Sequence, residues 1–147
     1  MAKSRMIGGK AHAARLRKLA GEGMVREVGK ALVAAGGLIE DEAKGLIMAG
    51  SASGRSGGKH QHVPSKPGEA PNNDLGGLHG NIETNQVAPL VVEVSSNADY
   101  AAALEFGTSK MAARPYFQPA RDAKKKEAIQ LVRQAVNRAI RKSKSSS

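Results

Sequence analysis

The sequence has no cysteine, no tryptophan and only four aromatic side chains among its 147 residues. The absence of cysteine excludes a disulfide scaffold, a thiolate zinc site and a cysteine nucleophile. Because large aromatic residues are scarce, any core must be built from Leu, Ile, Val, Met and Ala. No apolar run approaches the roughly 20 residues of a membrane span, and residues 1–20 have no continuous apolar centre typical of a secretory signal. These absences predict a soluble, cytoplasmically made chain of one domain.

The net charge of +10 is concentrated at the two ends of the chain. Residues 1–20 contain six basic residues and no acid, and residues 121–147 contain nine basic residues against two acids. The intervening residues carry eleven acids and eight basic residues. Basic ends of this kind are either solvated tails or a contact with nucleic acid. No aromatic lies among them, so such a contact would be salt-sensitive and without sequence preference. The candidate contacts to DNA phosphates are Lys10, Arg15, Arg17, Lys124, Lys125 and Arg133.

Apolar periodicity predicts a long helix over residues 24–48, because the stripe repeats at steps of three and four. The stripe continues in phase past Gly36 and Gly37, which favours one helix, bent there, over two shorter helices. Residues 10–20 predict a short basic helix before it. A last helix is predicted from Pro119, at its first position, to near Arg141. The residues of the long stripe are Val25, Val28, Leu32, Ala35, Ile39 and Leu46.

Residues 50–76 predict a long flexible loop, since Gly, Ser, Pro and Asn make up fifteen of its twenty-seven residues. Residues 79–86 and 89–96 then predict two strands, with Leu90, Val92 and Val94 on one face. The order of elements indicates an α+β fold in which the long N-terminal and C-terminal helices pack on a small antiparallel sheet. We expect a basic N-terminal extension over residues 1–20, a single domain over residues 21–142 and a disordered tail over residues 143–147.

No catalytic constellation is recognisable, and we expect a protein that is not an enzyme and has no cofactor. His60, His62 and His79 are the only group that resembles metal ligands, but no fourth ligand lies at a zinc-family spacing, so we expect no metal. The stretch GSASGRSGG lacks the Lys-Ser or Lys-Thr end of a phosphate-binding loop. No serine lies in a nucleophile-elbow context.

All four aromatic residues lie within the stretch YAAALEFGTSKMAARPYFQPA, residues 100–120. A short helix is predicted from Asp99 to Phe106, and Gly107 is expected to end it in a left-handed conformation. Tyr100 and Phe106 are expected to contribute to a local aromatic core. Glu105 lies in an otherwise apolar helix, so we predict that its carboxylate pairs with an arginine, either Arg114 or one on an adjacent subunit.

The arm RPYFQP, residues 114–119, is predicted to be rigid and extended, because Arg114 and Gln118 each precede a proline. Adjacent side chains of an extended segment point in opposite directions. If Phe117 faces the core, Tyr116 faces away from it. An outward aromatic on a rigid arm would be an anchor for another subunit.

These stretches resemble a family of phage tail components, the neck or tail-completion proteins of long-tailed phages typified by lambdoid phage Hong Kong ninety-seven. Members show a tyrosine-led helix, then Glu-Phe-Gly-Thr, then Pro-aromatic-Phe-x-Pro-Ala. The stretch SKPGEAPNNDLGGLHGNI is similar to the loop and strand entry that precede this signature, and VGKALVAAGGLIEDEAKGLI to the first long helix. The similarity covers roughly residues 7–142. His79-Gly80, where a basic pair is usual, and the basic N-terminal extension depart from the family pattern.

The resemblance implies a structural virion protein of the head-tail junction, made in the bacterial cytoplasm, that forms a homo-oligomeric ring of six copies. Its partners would be the head-closure or connector protein and the tail terminator or tail tube, with genome DNA in the channel and no membrane. A tail terminator and a non-specific DNA-binding protein are the alternatives. We expect residues 50–76 to be mobile in the free subunit and ordered in the ring. The implicated interface residues are Pro67, Gly68, Pro71, Tyr100, Glu105, Phe106, Gly107, Thr108, Pro115, Tyr116, Phe117 and Pro119.

Overall fold

Two long helices and one β-hairpin make up most of the described chain. The structure is a computed structural model that describes residues 9–19, 21–49, 67–71 and 77–145. The helices pack on a two-stranded antiparallel sheet, so the α+β fold predicted from the sequence is confirmed. The elements are α1 (Gly9–Leu19), α2 (Glu22–Ala49), the single turn α3 (Gly77–Gly80), β1 (Ile82–Ala88), β2 (Val91–Ser96), α4 (Ala101–Phe106) and α5 (Phe117–Ser145).

Helices α2 and α5 lie antiparallel and pack along their length. Ala43 and Ile47, near the end of α2, share a buried cluster with Tyr116 and Ala120 at the start of α5. The middle of this contact is made by small side chains, which let two helices approach closely but bury little apolar area each. The buried alanines of the middle are Ala31, Ala35, Ala128, Ala135 and Ala139.

The hairpin lies along α2 over a row of small residues spaced seven apart, Gly29, Gly36 and Ala43, which are all buried. A Cβ on Gly36 would stand 2.6 Å from Cγ2 of Thr84, and one on Gly29 would stand 2.8 Å from the carbonyl oxygen of Pro89. The turn of the hairpin therefore lies near the start of α2. Because glycine has no Cβ, it allows the backbone of α2 to approach the sheet closely. The same glycines lower the intrinsic stability of the helix.

Helix α2 is continuous through Gly36 and Gly37, so the prediction of one helix is confirmed and the alternative of two is wrong. The apolar stripe predicted for it is only partly buried: of its six members, Ala35 alone is fully buried. The deepest contacts are instead made by neighbouring small residues, because both the sheet and α5 approach the helix at backbone distance.

The sheet is a single hairpin with Ile82 opposite Ser96 and Gln86 opposite Val92, and an irregularity between Gln86 and Ala88. Both strands begin later than predicted. Val92 and Val94 are half-buried while Val91 is exposed, which agrees with the predicted alternation along β2, but Leu90, which was predicted to share their face, is exposed and precedes the strand. Pro89 and Leu90 lie in the turn, where the Gln86 side chain donates to the Pro89 carbonyl at 2.9 Å.

The two ends of the described chain meet. Only two residues separate α1 from α2, and α1 contacts both α2 and α5. Since α5 runs antiparallel to α2, its last turns lie at the level where α2 begins. Helix α1 therefore lies beside the C-terminal half of α5, and the predicted short basic helix is confirmed.

Helix α5 continues to Ser145, four residues beyond its predicted end. Ser143 is only 5% exposed, and its hydroxyl donates to the Ile140 carbonyl at 2.7 Å. The tail predicted to be disordered is thus helical through residue 145, while residues 146–147 lie outside the described residues. Within the described ranges, no helix has the combination of length and apolarity that a membrane crossing requires.

Candidate subunit-docking surface

The carboxylate of Glu105 accepts three backbone hydrogen bonds at the start of α5. Oε2 lies 2.8 Å from the amide nitrogen of Tyr116 and 3.0 Å from that of Phe117, and Oε1 lies 2.9 Å from that of Gln118. Pro119 follows and has no N–H, and the amide of Ala120 already bonds the Tyr116 carbonyl at 3.3 Å. All the N–H groups that a helix start leaves unpaired are therefore satisfied.

This contact corrects three expectations. We predicted an arginine partner for Glu105, but within the described chain the carboxylate bonds the backbone at the start of a helix that begins twelve residues later, and an arginine of an adjacent subunit stays a prediction. Because of this cap, α5 begins at Phe117, two residues before the predicted start, and Gln118 is helical rather than extended. Pro119 lies in the first turn but not at its first position. A negative charge there also interacts favourably with the helix dipole.

Gly107 ends α4 with φ 74° and ψ 177°. The positive φ was predicted, but ψ places the residue in an extended region that is almost confined to glycine, not in the left-handed helical region. A Cβ on Gly107 would lie 2.8 Å from the amide nitrogen of Ala113. The chain then returns along α4, where the Arg114 amide donates to the Leu104 carbonyl at 2.6 Å. Glycine at this position lets the arm fold back against its own helix.

The described part of the long loop, residues 67–71, lies against this arm. The amide of Gly68, at φ 85°, donates to the Ala113 carbonyl at 2.9 Å, and Pro71 is buried. Pro67 and Gly68 are exposed. The two sequence motifs on which the resemblance depends are therefore in contact. The rest of the loop prediction, residues 50–66 and 72–76, lies outside the described residues and stays a prediction.

The four aromatic residues differ from the prediction in which of them are buried and which are exposed. Tyr116 is fully buried in the core cluster and Phe117 is half-buried, with their ring centroids 4.7 Å apart. Tyr116 as an outward anchor is therefore wrong, because the early start of α5 turns it inward. The local core also does not include the side chain of Phe106, which is 81% exposed, while Tyr100 is 48% exposed. Phe106, not Tyr116, is the aromatic available to another molecule.

A groove of about 760 Å³ lies between α4, β2 and the first turns of α5. Phe106 stands at this groove, whose apolar lining includes Ile39, Val92, Val94 and Ala102. Glu105, Gln118 and Arg121 provide polar groups among the lining residues. We call this surface, from Phe106 across the groove to Arg121, the aromatic groove. Its volume lies in the range of ligand pockets, and its lining combines apolar side chains with a few polar groups.

The buried hydroxyl of Tyr116 has no hydrogen-bond partner among the described residues. Burial raises the pKa of this phenol, and the Ser96 side chain, which lies nearby without meeting hydrogen-bond geometry, offsets that rise only in part. An unpaired buried hydroxyl is uncommon in a self-contained core.

The described chain exposes more large apolar side chains than it buries. Eight of its twelve buried apolar residues are alanines, and the four larger ones are Ile47, Leu78, Ile82 and Tyr116. Nine larger apolar side chains are exposed. A core made mostly of alanine buries little apolar area per residue. The exposed residues are Leu16, Val33, Met48, Val87, Leu90, Val91, Tyr100, Phe106 and Ile129.

Three of the remaining predicted interface residues, Thr108, Pro115 and Pro119, do not line the aromatic groove. Thr108 is exposed in the turn after α4, and its amide donates to the Met111 carbonyl at 2.8 Å. Pro115 and Pro119 are half-buried supports of the arm and of the helix start. Sequence reasoning missed the groove lining from α2 and β2. No local pattern links Ile39 to Val94, because their contact depends on the packing of the hairpin.

The predicted DNA contacts fall into two places. Lys10, Arg15 and Arg17 are exposed on α1, and Arg133 is exposed in the C-terminal half of α5, the helix that α1 contacts. Lys124 and Lys125 lie at the opposite end of α5, where Lys124 is 3.8 Å from Glu42 and 3.7 Å from Glu127. Glu42, which interrupts the apolar stripe of α2, thus has a basic neighbour.

No group of three His, Asp or Glu residues is placed to hold a metal ion within the part of the chain that the structure describes. His60 and His62 lie outside that part, and His79 is half-buried in α3. Comparison of the chain with protein-family models, with curated proteins and with solved structures finds no match.

Proposed function

We propose that this protein is a structural subunit of the head-tail junction of a long-tailed phage or a phage-like particle, and that it acts by assembling with copies of itself. The excess of exposed over buried large apolar side chains carries the proposal. A chain whose core is mostly alanine has little apolar area to stabilise it alone. Burying its exposed residues against neighbours would provide the missing stabilisation.

The resemblance of residues 100–120 to the neck or tail-completion signature supplies the biological setting. The geometry supports it, because the residues on either side of Phe106 in that signature have structural roles. Glu105 fixes the start of α5, and Gly107 folds the arm back on α4. Together they fix the backbone on both sides of Phe106, which lines the aromatic groove. A pre-organised aromatic is an effective interface anchor, because little side-chain entropy is lost on binding.

Self-association is tested by light scattering of the purified chain over a range of concentrations. We expect oligomers of wild type and a shift to monomer for Phe106→Ser, since the substitution removes the most exposed aromatic while leaving the buried core intact. Gln130→Ser is the control, because Gln130 is also exposed on a helix but belongs neither to the exposed apolar residues nor to the lining of the aromatic groove. A wild type that stays monomeric at high concentration, or equal effects of both variants, would contradict this part of the proposal.

The role in the particle is tested by removing the gene from its phage or prophage. Filled heads and separate tails of normal length are the expected result for a neck protein, and complementation with wild type but not with Phe106→Ser should rejoin them. Tails of abnormal length would identify a tail terminator instead. Normal joined particles in the absence of the gene would exclude both roles.

A further inference from the structure

Nearly all of the net positive charge lies on two helical segments that contact each other. Helix α1 carries four basic residues and no acid, and α5 from Ala128 to Ser145 carries five basic residues and no acid. The sequence places these segments more than a hundred residues apart. The antiparallel packing of α2 and α5 brings them together at one end of the molecule.

The arginines of α5 lie on the side of the helix away from the core. Ala135, Ala139 and Ser143 are buried, whereas Arg133, Arg138 and Arg141 are exposed. Arg133 and Arg141 are eight residues apart, which is about 12 Å along the helix axis. On α1, Lys10, Arg15 and Arg17 are exposed. We call these six residues the basic surface.

The basic surface lacks counter-charges within the described chain. None of its six residues forms an ion pair with a described acidic residue, in contrast to Arg121, which lies 3.1 Å from Asp122, and Lys124 beside its two glutamates. The adjoining first turns of α2 carry Glu22 and Glu27 but also Arg26 and Lys30, so they add no net charge. Like charges within a Debye length of about 10 Å repel each other. Binding of a polyanion would remove this repulsion.

We propose that the basic surface binds the phosphate backbone of double-stranded DNA without sequence preference. Its charges are of one sign and spread over two helices, which suits an extended polyanion rather than a single phosphate group. Neither α1 nor the described part of α5 beyond Phe117 carries an aromatic residue, so the surface offers no platform for stacking on bases. Arginine side chains contact phosphate oxygens through paired N–H donors. The inference does not depend on self-association, and it shifts the predicted contacts from Lys124 and Lys125 to Arg138 and Arg141.

The test measures binding of the full-length chain to two 30-base-pair duplexes of unrelated sequence by fluorescence anisotropy, from 50 to 200 mM salt. With six phosphate contacts, affinity should fall by roughly 10³-fold over this range and should be equal for both sequences. The triple variant Arg133→Gln/Arg138→Gln/Arg141→Gln removes three contacts, so its salt slope should become shallower by about 2.7. The double variant Arg15→Gln/Arg17→Gln should reduce the slope by about 1.8.

The matched control is Arg121→Gln/Lys124→Gln/Lys125→Gln, which removes the same charge from the same helix at its other end. It should keep the wild-type slope. Equal losses in both triple variants would mean that only the overall charge matters, and an ineffective α1 double variant would contradict a surface built from two helices. Absence of binding at 50 mM salt, or equal competition by polyglutamate at the same charge concentration, would overturn a DNA site. Circular dichroism checks that each variant is folded.

The same series in the Phe106→Ser background separates this inference from the proposed function. If the basic surface binds DNA, loss of the three α5 arginines should lower the slope in the monomer as well. A monomeric chain that binds DNA would leave this inference standing while the assembly proposal fails. Oligomers that do not bind DNA would support the assembly proposal and contradict this inference.

Discussion

The adjacent glycines of α2 should respond in opposite directions to the same substitution. Gly36 faces the hairpin, where a Cβ would stand 2.6 Å from Cγ2 of Thr84 and 3.0 Å from Cγ1 of Val92. Gly37 has no atom within 4 Å of the same position. Both variants gain the helix propensity of alanine, which is worth roughly 1 kcal/mol in a helix interior. Only Gly36→Ala must also accommodate a collision.

The collision cannot be relieved at low cost. Thr84 is β-branched, and its hydroxyl donates to the Glu40 carboxylate at 2.6 Å. Rotating Thr84 would break that charge-assisted bond, and moving the hairpin would separate packed surfaces. Overpacking of this kind costs about 1–3 kcal/mol. We therefore expect Gly36→Ala to destabilise the fold by up to about 2 kcal/mol and Gly37→Ala to stabilise it by about 0.5–1 kcal/mol.

Urea unfolding followed by circular dichroism measures both variants, which have identical composition. The helix-propensity gain is common to both variants, so their expected difference is the collision cost of about 1–3 kcal/mol, which corresponds to roughly 3–12 °C between their melting temperatures. Adding Thr84→Ser to Gly36→Ala removes the clashing methyl and keeps the hydroxyl, so it should recover much of the loss. Equal stability of the two single variants would refute the close packing of α2 on the hairpin, and no recovery in the double variant would refute Thr84 as its cause.

Three further substitutions test individual contacts in the same unfolding assay. Glu105→Ala should lower the free energy of unfolding by about 2–3 kcal/mol, because it leaves three amides at the start of α5 without an acceptor. Glu127→Ala, which changes an exposed glutamate of the same helix, should have little effect. Equal stability of the two variants would contradict the role of Glu105 as the cap of α5. Tyr116→Phe should leave the free energy of unfolding unchanged or raise it, since the hydroxyl has no partner among the described residues. A loss of about 1 kcal/mol would instead show a hydrogen bond, with Ser96 as the candidate. Hydrogen bonds from Lys44 and, to a smaller extent, Thr84 hold the pKa of Glu40 below its ordinary value of 4.5. The ionised Glu40 carboxylate therefore contributes to stability above pH 4.5, and this contribution is lost as the pH falls through the lowered pKa. Glu40→Gln should therefore flatten the acid side of the stability profile, and an unchanged profile would contradict the shift.

Local patterns were sufficient for the elements that depend on neighbours in sequence. The period of the apolar residues identified α2 as one helix, and the alternation in β2 identified its inward face. The positive φ of Gly107 followed from its place after a short helix. Each of these features depends on residues within a few positions, where spacing alone determines which side chains share a face.

The candidate site was harder to predict because its parts come from distant segments. Glu105 was recognised as an unusual carboxylate, but its partner amides lie on another helix, so an arginine was expected. That cap moved the start of α5 and reversed which aromatic of the arm is buried. Phe106 was expected in the local core because its helix reads as apolar on two sides. Whether a side is covered depends on what packs there, and nothing among the described residues covers Phe106 beyond the remaining 19% of its surface.

The sequence by itself determined the type and order of the elements, the scarcity of large core residues and the basic character of both ends. Only the tertiary structure decided that Gly36 touches the hairpin, that Tyr116 lies inside and Phe106 outside, and that the basic helix α1 contacts α5. Periodicity along a chain records which residues share a side of a helix or strand. It does not record which distant segment covers that side, and the free energy of packing that makes this choice depends on all of the segments together.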